Sequence, residues 1–196
     1  MRPPGIANPA AMGLFAFAST TFLLSMYNVN TRGITTPNVV LGMAVFGGGL
    51  VQLLAGMFEY PRGNMFGATV FSLYGAFWMS YSLIFFPGTG IIAAYADPQE
   101  LNNAVGVYLI VWFMMTFMFT TVVVKRHIGL TVLLSVLSLA FILLAAGSFT
   151  ASTKVTKAGG AVGIITGMIA FYLGLAELYA AEANPIIRLP LGVIGQ

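Results

Sequence analysis

Acidic and basic side chains interrupt this sequence at only a few places, and the intervals between them constrain what it can fold into. Uncharged stretches run over residues 3–31, 33–58, 63–96, 101–124, 128–153 and 158–176, the shortest of them 19 residues long. About 20 predominantly apolar residues in a helix cross the roughly 30 Å hydrocarbon core of a bilayer, so each stretch suffices for one crossing. None is clearly long enough for two. The runs are continuous rather than alternating, which argues against the strands of a membrane barrel. The expected fold class is an all-α integral membrane protein, a compact bundle of six transmembrane helices forming a single transmembrane domain over residues 1–196. The helices are expected at about 10–28, 38–59, 65–86, 101–124, 128–150 and 158–181.

Composition removes most other classes. Charged residues make up 7% of the chain and hydrophobic residues 59%, whereas a soluble domain is about 25% charged. Soluble globular and disordered states are excluded on that ground. Without cysteine there are no disulfides, thiol nucleophiles or cysteine-bound metals. The formal net charge of +3 has no basic stripe behind it, so nucleic acid is not an expected partner. The single histidine, His127, lacks neighbouring Asp, Glu or Cys and makes a poor metal site. No metal and no cofactor is expected. Nor is an enzyme, because GxSxG, HExxH, P-loop and mid-membrane carboxylate-pair patterns are all missing from the sequence.

The connections carry cap and turn chemistry. Asn8-Pro9, Thr36-Pro37-Asn38 and Gly63-Asn64 open the first three helices, and Pro87-Gly88-Thr89-Gly90 closes the third. Asp97-Pro98-Gln99-Glu100 falls in the longest connection, where a short surface helix is expected. The first apolar run ends in Ser25-Met26-Tyr27-Asn28 without a small-residue cleavage site, so it reads as a retained helix. Arg2, Arg62, Lys125, Arg126 and Arg188 fall on one side of the membrane and Arg32, Lys154 and Lys157 on the other, which places both termini in the cytoplasm. Gly159, Gly163 and Gly167 form overlapping GxxxG units, which serve close packing either within one subunit or between subunits.

Polar groups inside the spans are costly there and therefore informative. Thr20, Thr21 and Asn28 lie along the first helix, Phe17 and Leu24 sharing their face at steps of three or four. Gln52, Ser72, Tyr74, Ser80, Tyr81, Tyr108 and Thr116 follow on the next three. A Ser or Thr in a membrane helix often bonds the carbonyl four residues back, but the primary amide of Gln52 cannot be satisfied so locally. Glu59 and Glu177 border their spans, either as interfacial ion pairs with Arg62, Lys125 or Arg126, or as proton-responsive carboxylates in an inner vestibule. His127 reads as an interface residue. Hydroxyls and amides along several helices, with no fixed charge at their centre, describe a conduit for a small solute that is neutral or singly charged.

The segment Asn8-Pro9-Ala10-Ala11-Met12-Gly13-Leu14 resembles the Asn-Pro-Ala-Pro-Leu-Gly-Leu signature of the acetate uptake transporter family, the succinate–acetate permeases and their fungal relatives. The likeness continues through Thr20-Thr21, Asn28-Val29, Gln52, Glu59-Tyr60, Gly63-Asn64, Tyr74-Gly75, Phe77-Trp78, Gly106-Val107-Tyr108-Leu109, Tyr172-Leu173 and Glu177, nearly the whole chain in order. Ala11 and Met12 depart from the signature, and losing its second proline relaxes the first helical turn.

The resemblance implies a six-helix subunit that assembles as a homo-hexamer, each subunit with its own pathway for acetate and often succinate. It implies a central constriction of Phe17, Tyr74 and Leu137, with Ala170 tuning which acids pass. Each of these four residues falls near the midpoint of its expected helix. A carboxylate in low dielectric needs hydrogen-bond donors or must enter as the neutral acid. Asn8 and Asn64 cap helix N-termini that favour anions, and Thr20, Thr21, Asn28 and Gln52 are further substrate-binding candidates. Tyr74 is expected to offer its hydroxyl to the solute, and Glu59 and Glu177 are candidates for proton linkage. A channel for a small neutral solute such as urea or ammonia uses the same lining, and a non-transporting sensor stays open as a third reading.

Overall fold

The computed structural model describes residues 5–194; Arg2, which enters the orientation count, lies outside them. Among the described residues, six helices are long and apolar enough to cross a membrane: α1 Ala10–Asn28, α2 Val40–Arg62, α3 Met65–Phe85, α4 Pro98–Val123, α5 Ile128–Phe149 and α6 Thr153–Ala181. At 1.5 Å per residue the 19-residue α1 is about 29 Å long, which matches the hydrocarbon core.

Two helices start earlier than hydropathy suggests, each because of a cap. The Asp97 side chain accepts from the backbone N–H of Gln99 at 2.9 Å, and Pro98 occupies the first turn. The Asp-Pro pair is thus the start of α4, not part of the connection. Ser152 caps α6, accepting from Val155 N–H at 3.5 Å. Lys154 and Lys157 therefore ride on the helix, their long stems keeping the ammonium groups at the interface. The α3–α4 connection holds two 3-10 turns, Pro87–Thr89 and Ile92–Ala94.

The helix α2 changes its winding partway. Val40–Met43 is α-helical, Ala44–Val51 is π-helical, and Gln52–Glu59 returns to α before a final 3-10 turn, Tyr60–Arg62. Gly47-Gly48-Gly49 lies inside the wide segment, and the bare backbone there lets α3 press close. A Cβ at Gly48 would sit 2.6 Å from the Trp78 ring, and one at Gly75 would sit 2.8 Å from the Leu53 backbone nitrogen. Ser82 Oγ donates to Leu41 O at 3.1 Å beside the entry to this segment.

The helix α6 packs along α1 and α5, and α4 packs mainly on α5. The outward face of α4 carries exposed Val107, Val111, Met114, Met118 and Val122. The glycines of α6 settle the packing question raised by their spacing. A Cβ on Gly163 would run into the Ser25 side chain, one on Gly167 would lie 2.9 Å from Phe22 Cβ, and one on Gly159 would lie 2.8 Å from Leu144. They bring α6 against α1 and α5 within one chain, where close approach yields the dispersion contacts that hold helices together in lipid.

After α6 the chain folds back across the end of the bundle that carries its N-terminus. Ile128 N–H donates to Gly192 O at 2.6 Å and Ile194 N–H to Arg126 O at 3.0 Å. The Tyr172 hydroxyl donates to Pro190 O at 2.9 Å, fixing the returning segment over the α4–α5 turn.

Candidate functional site

Two cavities enter the bundle from opposite ends. The cavity at the end carrying the N-terminus, here the N-side cavity, has a volume of about 380 Å³, and the far-side cavity about 440 Å³. Among the described residues, Phe17 of α1 and Leu137 of α5 are the two that line both. They are 5% and 4% exposed, so they form the closed wall between the cavities. Tyr74 completes that wall from the N-side, its ring centroid 5.7 Å from Phe17. Behind it Trp112 and Phe119 each pack 6.1 Å from the Tyr74 ring. On the far side Phe77 packs 5.0 Å from Trp112 and 5.4 Å from Phe141. Apolar constrictions of this kind resist the passage of water and hydrated ions.

The polar candidates divide between the two ends. Gln52 is 1% exposed and lines the N-side cavity, its Oε1 without a hydrogen-bond partner. Asn64 lies at the same cavity and caps α3, its Oδ1 accepting from Gly67 N–H at 3.1 Å. Asn8 donates through Nδ2 to Glu177 at 2.9 Å while its Oδ1 accepts from Ala10 N–H at 3.1 Å, so one amide ties the start of α1 to α6. Thr21 and Asn28 line the far-side cavity, and the Thr21 hydroxyl has no partner.

Three candidates are placed differently from the expectation. Thr20 donates to Ala16 O at 3.0 Å, sits against Gly47 and Gly48 of α2, and lines neither cavity. Adjacent residues on a helix point about 100° apart, so Thr20 and Thr21 cannot share the pathway face. Ala170 is 0% exposed within the core, beside rather than on the cavity walls. The Tyr74 hydroxyl lies 2.8 Å from Thr116 Oγ1, engaged with α4 instead of being held out to a solute.

The two carboxylates have different company. Glu59 is 0% exposed, its Oε2 3.3 Å from Arg62 Nε, and Arg62 also donates through Nη1 to Ile6 O at 2.8 Å. A Cβ on Gly67 would lie 3.2 Å from the Glu59 carboxyl carbon, so that bare residue makes room for the acid beside the N-terminus of α3. The helix dipole favours negative charge there. Glu177 is half-buried and its hydrogen-bond partner is the neutral amide of Asn8.

Sequence reasoning missed several residues of the N-side cavity. Arg126 and His127 line it, as do Leu191 and Val193 of the returning segment. His127 is the N-cap of α5, its Nδ1 accepting from Leu130 N–H at 3.1 Å, so the ring is neutral there and carries its proton on Nε2. Burial holds its pKa below the ordinary histidine value. The missed signal was its position, a side-chain acceptor immediately before an apolar helix. Nothing local marks Leu191 or Val193, which reach the cavity only through tertiary folding.

Six spans around two cavities that meet at a shared apolar wall define a multi-pass helical membrane protein. The chain belongs to the GPR1/FUN34/yaaH family, whose sequence pattern matches residues 2–193. It is 44% identical to accumulation of dyads protein 2 of Saccharomyces cerevisiae over 94% of this chain and 65% of that one, slightly under two thirds of the yeast protein's length. It is 35% identical to the succinate-acetate/proton symporter SatP of Escherichia coli, over 95% of this chain and 96% of that one. The solved structure of a bacterial acetate channel SatP superposes with a TM-score of 0.83 at 33% identity, covering 95% of this chain and 99% of that chain.

Proposed function

We propose that this protein carries acetate, and with it succinate or other small carboxylates, across the membrane by permeation and not by an enzymatic reaction. The observation that carries this reading is the wall shared by the two cavities, where Phe17 and Leu137 alone among the described residues face both. A solute crossing the bundle passes between them and beside Tyr74, in a path whose length is set by the six spans acting as one transmembrane domain. Ala170, buried in the core, sets how far the wall can yield. The similarity to proteins named as an acetate channel and a succinate-acetate/proton symporter supports the choice of solute.

In this reading the N-side cavity opens to the cytoplasm, as the Lys/Arg distribution favours. Arg126 and the capped N-termini of α1, α3 and α5 offset the desolvation of an entering carboxylate. Gln52 donates nearer the wall, and Thr21 and Asn28 continue the path beyond it. Of the two carboxylates, Glu177 is the better proton-linked group. Glu59 is paired with the Arg62 guanidinium, whereas Glu177 is hydrogen-bonded to the neutral amide of Asn8. The resemblance further supports assembly as a homo-hexamer with one pathway per subunit.

The test is flux into liposomes containing the purified protein, with labelled acetate and urea compared between about pH 5 and pH 8. Acetate flux that rises toward acid pH and is blocked by a bulkier residue at Leu137 is expected. Urea flux without acetate flux would replace this reading with a neutral-solute channel, and acetate binding without any flux would replace it with a sensor.

A further inference from the structure

The Tyr74 hydroxyl makes a bond whose direction is fixed by counting protons. Thr116 Oγ1 lies 2.7 Å from Trp112 O and 2.8 Å from the Tyr74 oxygen. A carbonyl can only accept, and a threonine hydroxyl has one proton to give. That proton goes to Trp112 O, in the i−4 bond common to threonine in membrane helices. The remaining bond then runs from Tyr74 to Thr116. The phenolic proton is committed, and the hydroxyl has only lone pairs left.

Both groups are closed to water, Thr116 fully and Tyr74 nearly so. Thr116 lines neither cavity; it stands on α4 behind the Tyr74 ring, one turn beyond Trp112, which packs on the same ring. We propose that Thr116 is a specificity-determining residue of the pathway, because by accepting the Tyr74 proton it makes the constriction free of hydrogen-bond donors. This rests on the reading that the pathway runs between Phe17, Tyr74 and Leu137. A tyrosine free to donate at the wall would bind a carboxylate as it passed and favour it over a neutral solute of the same shape. With the proton held by Thr116, the wall separates solutes by width and leaves anion recognition to Gln52 on one side and Thr21 on the other. The tyrosine is there as a shaped apolar ring whose polar end is satisfied elsewhere.

The experiment compares the flux of acetate with that of acetamide, its neutral counterpart of similar size, in liposomes containing the full chain. Thr116→Val keeps the shape of the side chain but removes the acceptor, freeing the Tyr74 proton. The acetate-to-acetamide ratio is expected to rise about threefold to tenfold, the scale of one added hydrogen bond to an anion. Tyr74→Phe added to Thr116→Val should abolish the rise, and Thr116→Ser, which keeps the hydroxyl, should leave the ratio as in the parent protein. Tyr74→Phe alone should also leave the ratio unchanged, since the proton it removes is not available to the solute. A ratio that falls in Tyr74→Phe alone would overturn the proposal, because it would mean that the phenol already serves the solute. So would an unchanged ratio in Thr116→Val that still unfolds cooperatively. If Thr116→Val does not fold, Tyr74→Phe alone decides between the two outcomes. Leu137→Ala in the same assay separates the underlying reading: flux of both solutes indifferent to Leu137→Ala rejects the pathway itself.

Discussion

At one end of the bundle a cavity gathers Glu59, Glu177, Arg126 and His127; at the other, Thr21, Asn28 and Tyr81 face a space of similar size with no carboxylate or cation on its wall among the described residues. The difference follows from which chain segments close each end. The N-side wall takes in the α4–α5 turn and the returning segment at Leu191 and Val193, where Arg126 reaches water, while Glu59 is buried beside Arg62. The far-side cavity is lined by α1, α3, α4, α5 and α6 together with the α1–α2 and α5–α6 connections, and its polar wall residues among those described are neutral hydroxyls and amides. In the proposed reading, any response to pH enters from the N-side, while the far side discriminates by neutral donors and shape.

The largest expected effect tests the charged end. Glu59→Gln leaves Arg62 beside a neutral amide and should lower stability by about 2 kcal/mol, a value reduced from that of a fully buried pair because Arg62 is partly exposed. Thermal unfolding in detergent measures it, with Asn28→Ala on the far side expected to cost well under half as much. Equal losses in the two variants would remove the contrast between the ends. At the wall itself, Leu137→Ala or Phe17→Ala should raise lactate flux relative to acetate by about tenfold, equivalent to about 1.4 kcal/mol of barrier, and Ala170→Leu should lower it. A series of acids of increasing width gives the readout, and an unchanged profile in all three variants would detach selectivity from this wall.

A smaller effect concerns His127. Burial depresses its folded pKa below the ordinary 6.5, so the folded protein keeps it neutral where the unfolded chain begins to take up a proton. Its contribution to stability is therefore whole above about pH 6.5 and declines as pH falls through the unfolded value. His127→Asn retains a cap acceptor without a titrating group. The melting temperature of that variant should fall less than the parent's between about pH 7.5 and pH 5.5. A parallel fall would assign the acid sensitivity to the carboxylates instead. The smallest effect lies on the far side, where Ala151 holds φ at 48° between α5 and α6. Ala151→Gly should stabilise by roughly 0.5–1 kcal/mol in thermal unfolding, since it relieves the strain of a left-handed backbone in the connection.

Much of the fold was legible because hydrocarbon tolerates few alternatives: an uncharged run of the right length has to be a helix. The run that becomes α1 is bounded in the sequence as it is in the structure, by Pro9 before it and Asn28 at its end. The early starts of α4 and α6 were not legible, because hydropathy takes no account of the backbone N–H groups that Asp97 and Ser152 satisfy. At the candidate site the limit was angular. The sequence leaves Thr20 and Thr21 equivalent, and only packing against Gly48 tells which one turns away. Phe17 and Leu137 enter through resemblance; nothing around them distinguishes either from ordinary membrane core. The Tyr74–Thr116 bond joins positions 42 apart, and a pairing of that kind has no local signature.

The wide turns of Ala44–Val51 have a consequence for how this protein tolerates insertion and deletion. A π-helical segment holds, in effect, one residue more than the α-helix it interrupts. That extra residue acts as a dial: everything after it on α2 is turned by about 100° from where an uninterrupted α-helix of the same sequence would put it. Gln52 and Glu59 both lie beyond the dial, and both face the N-side cavity. Removing a single glycine from Gly47-Gly48-Gly49 would let the segment wind as an ordinary helix. Because the wide turns absorb that extra residue, the amide and the carboxylate would keep their bearing on the cavity wall, so this segment can lose one residue without moving the polar groups beyond it.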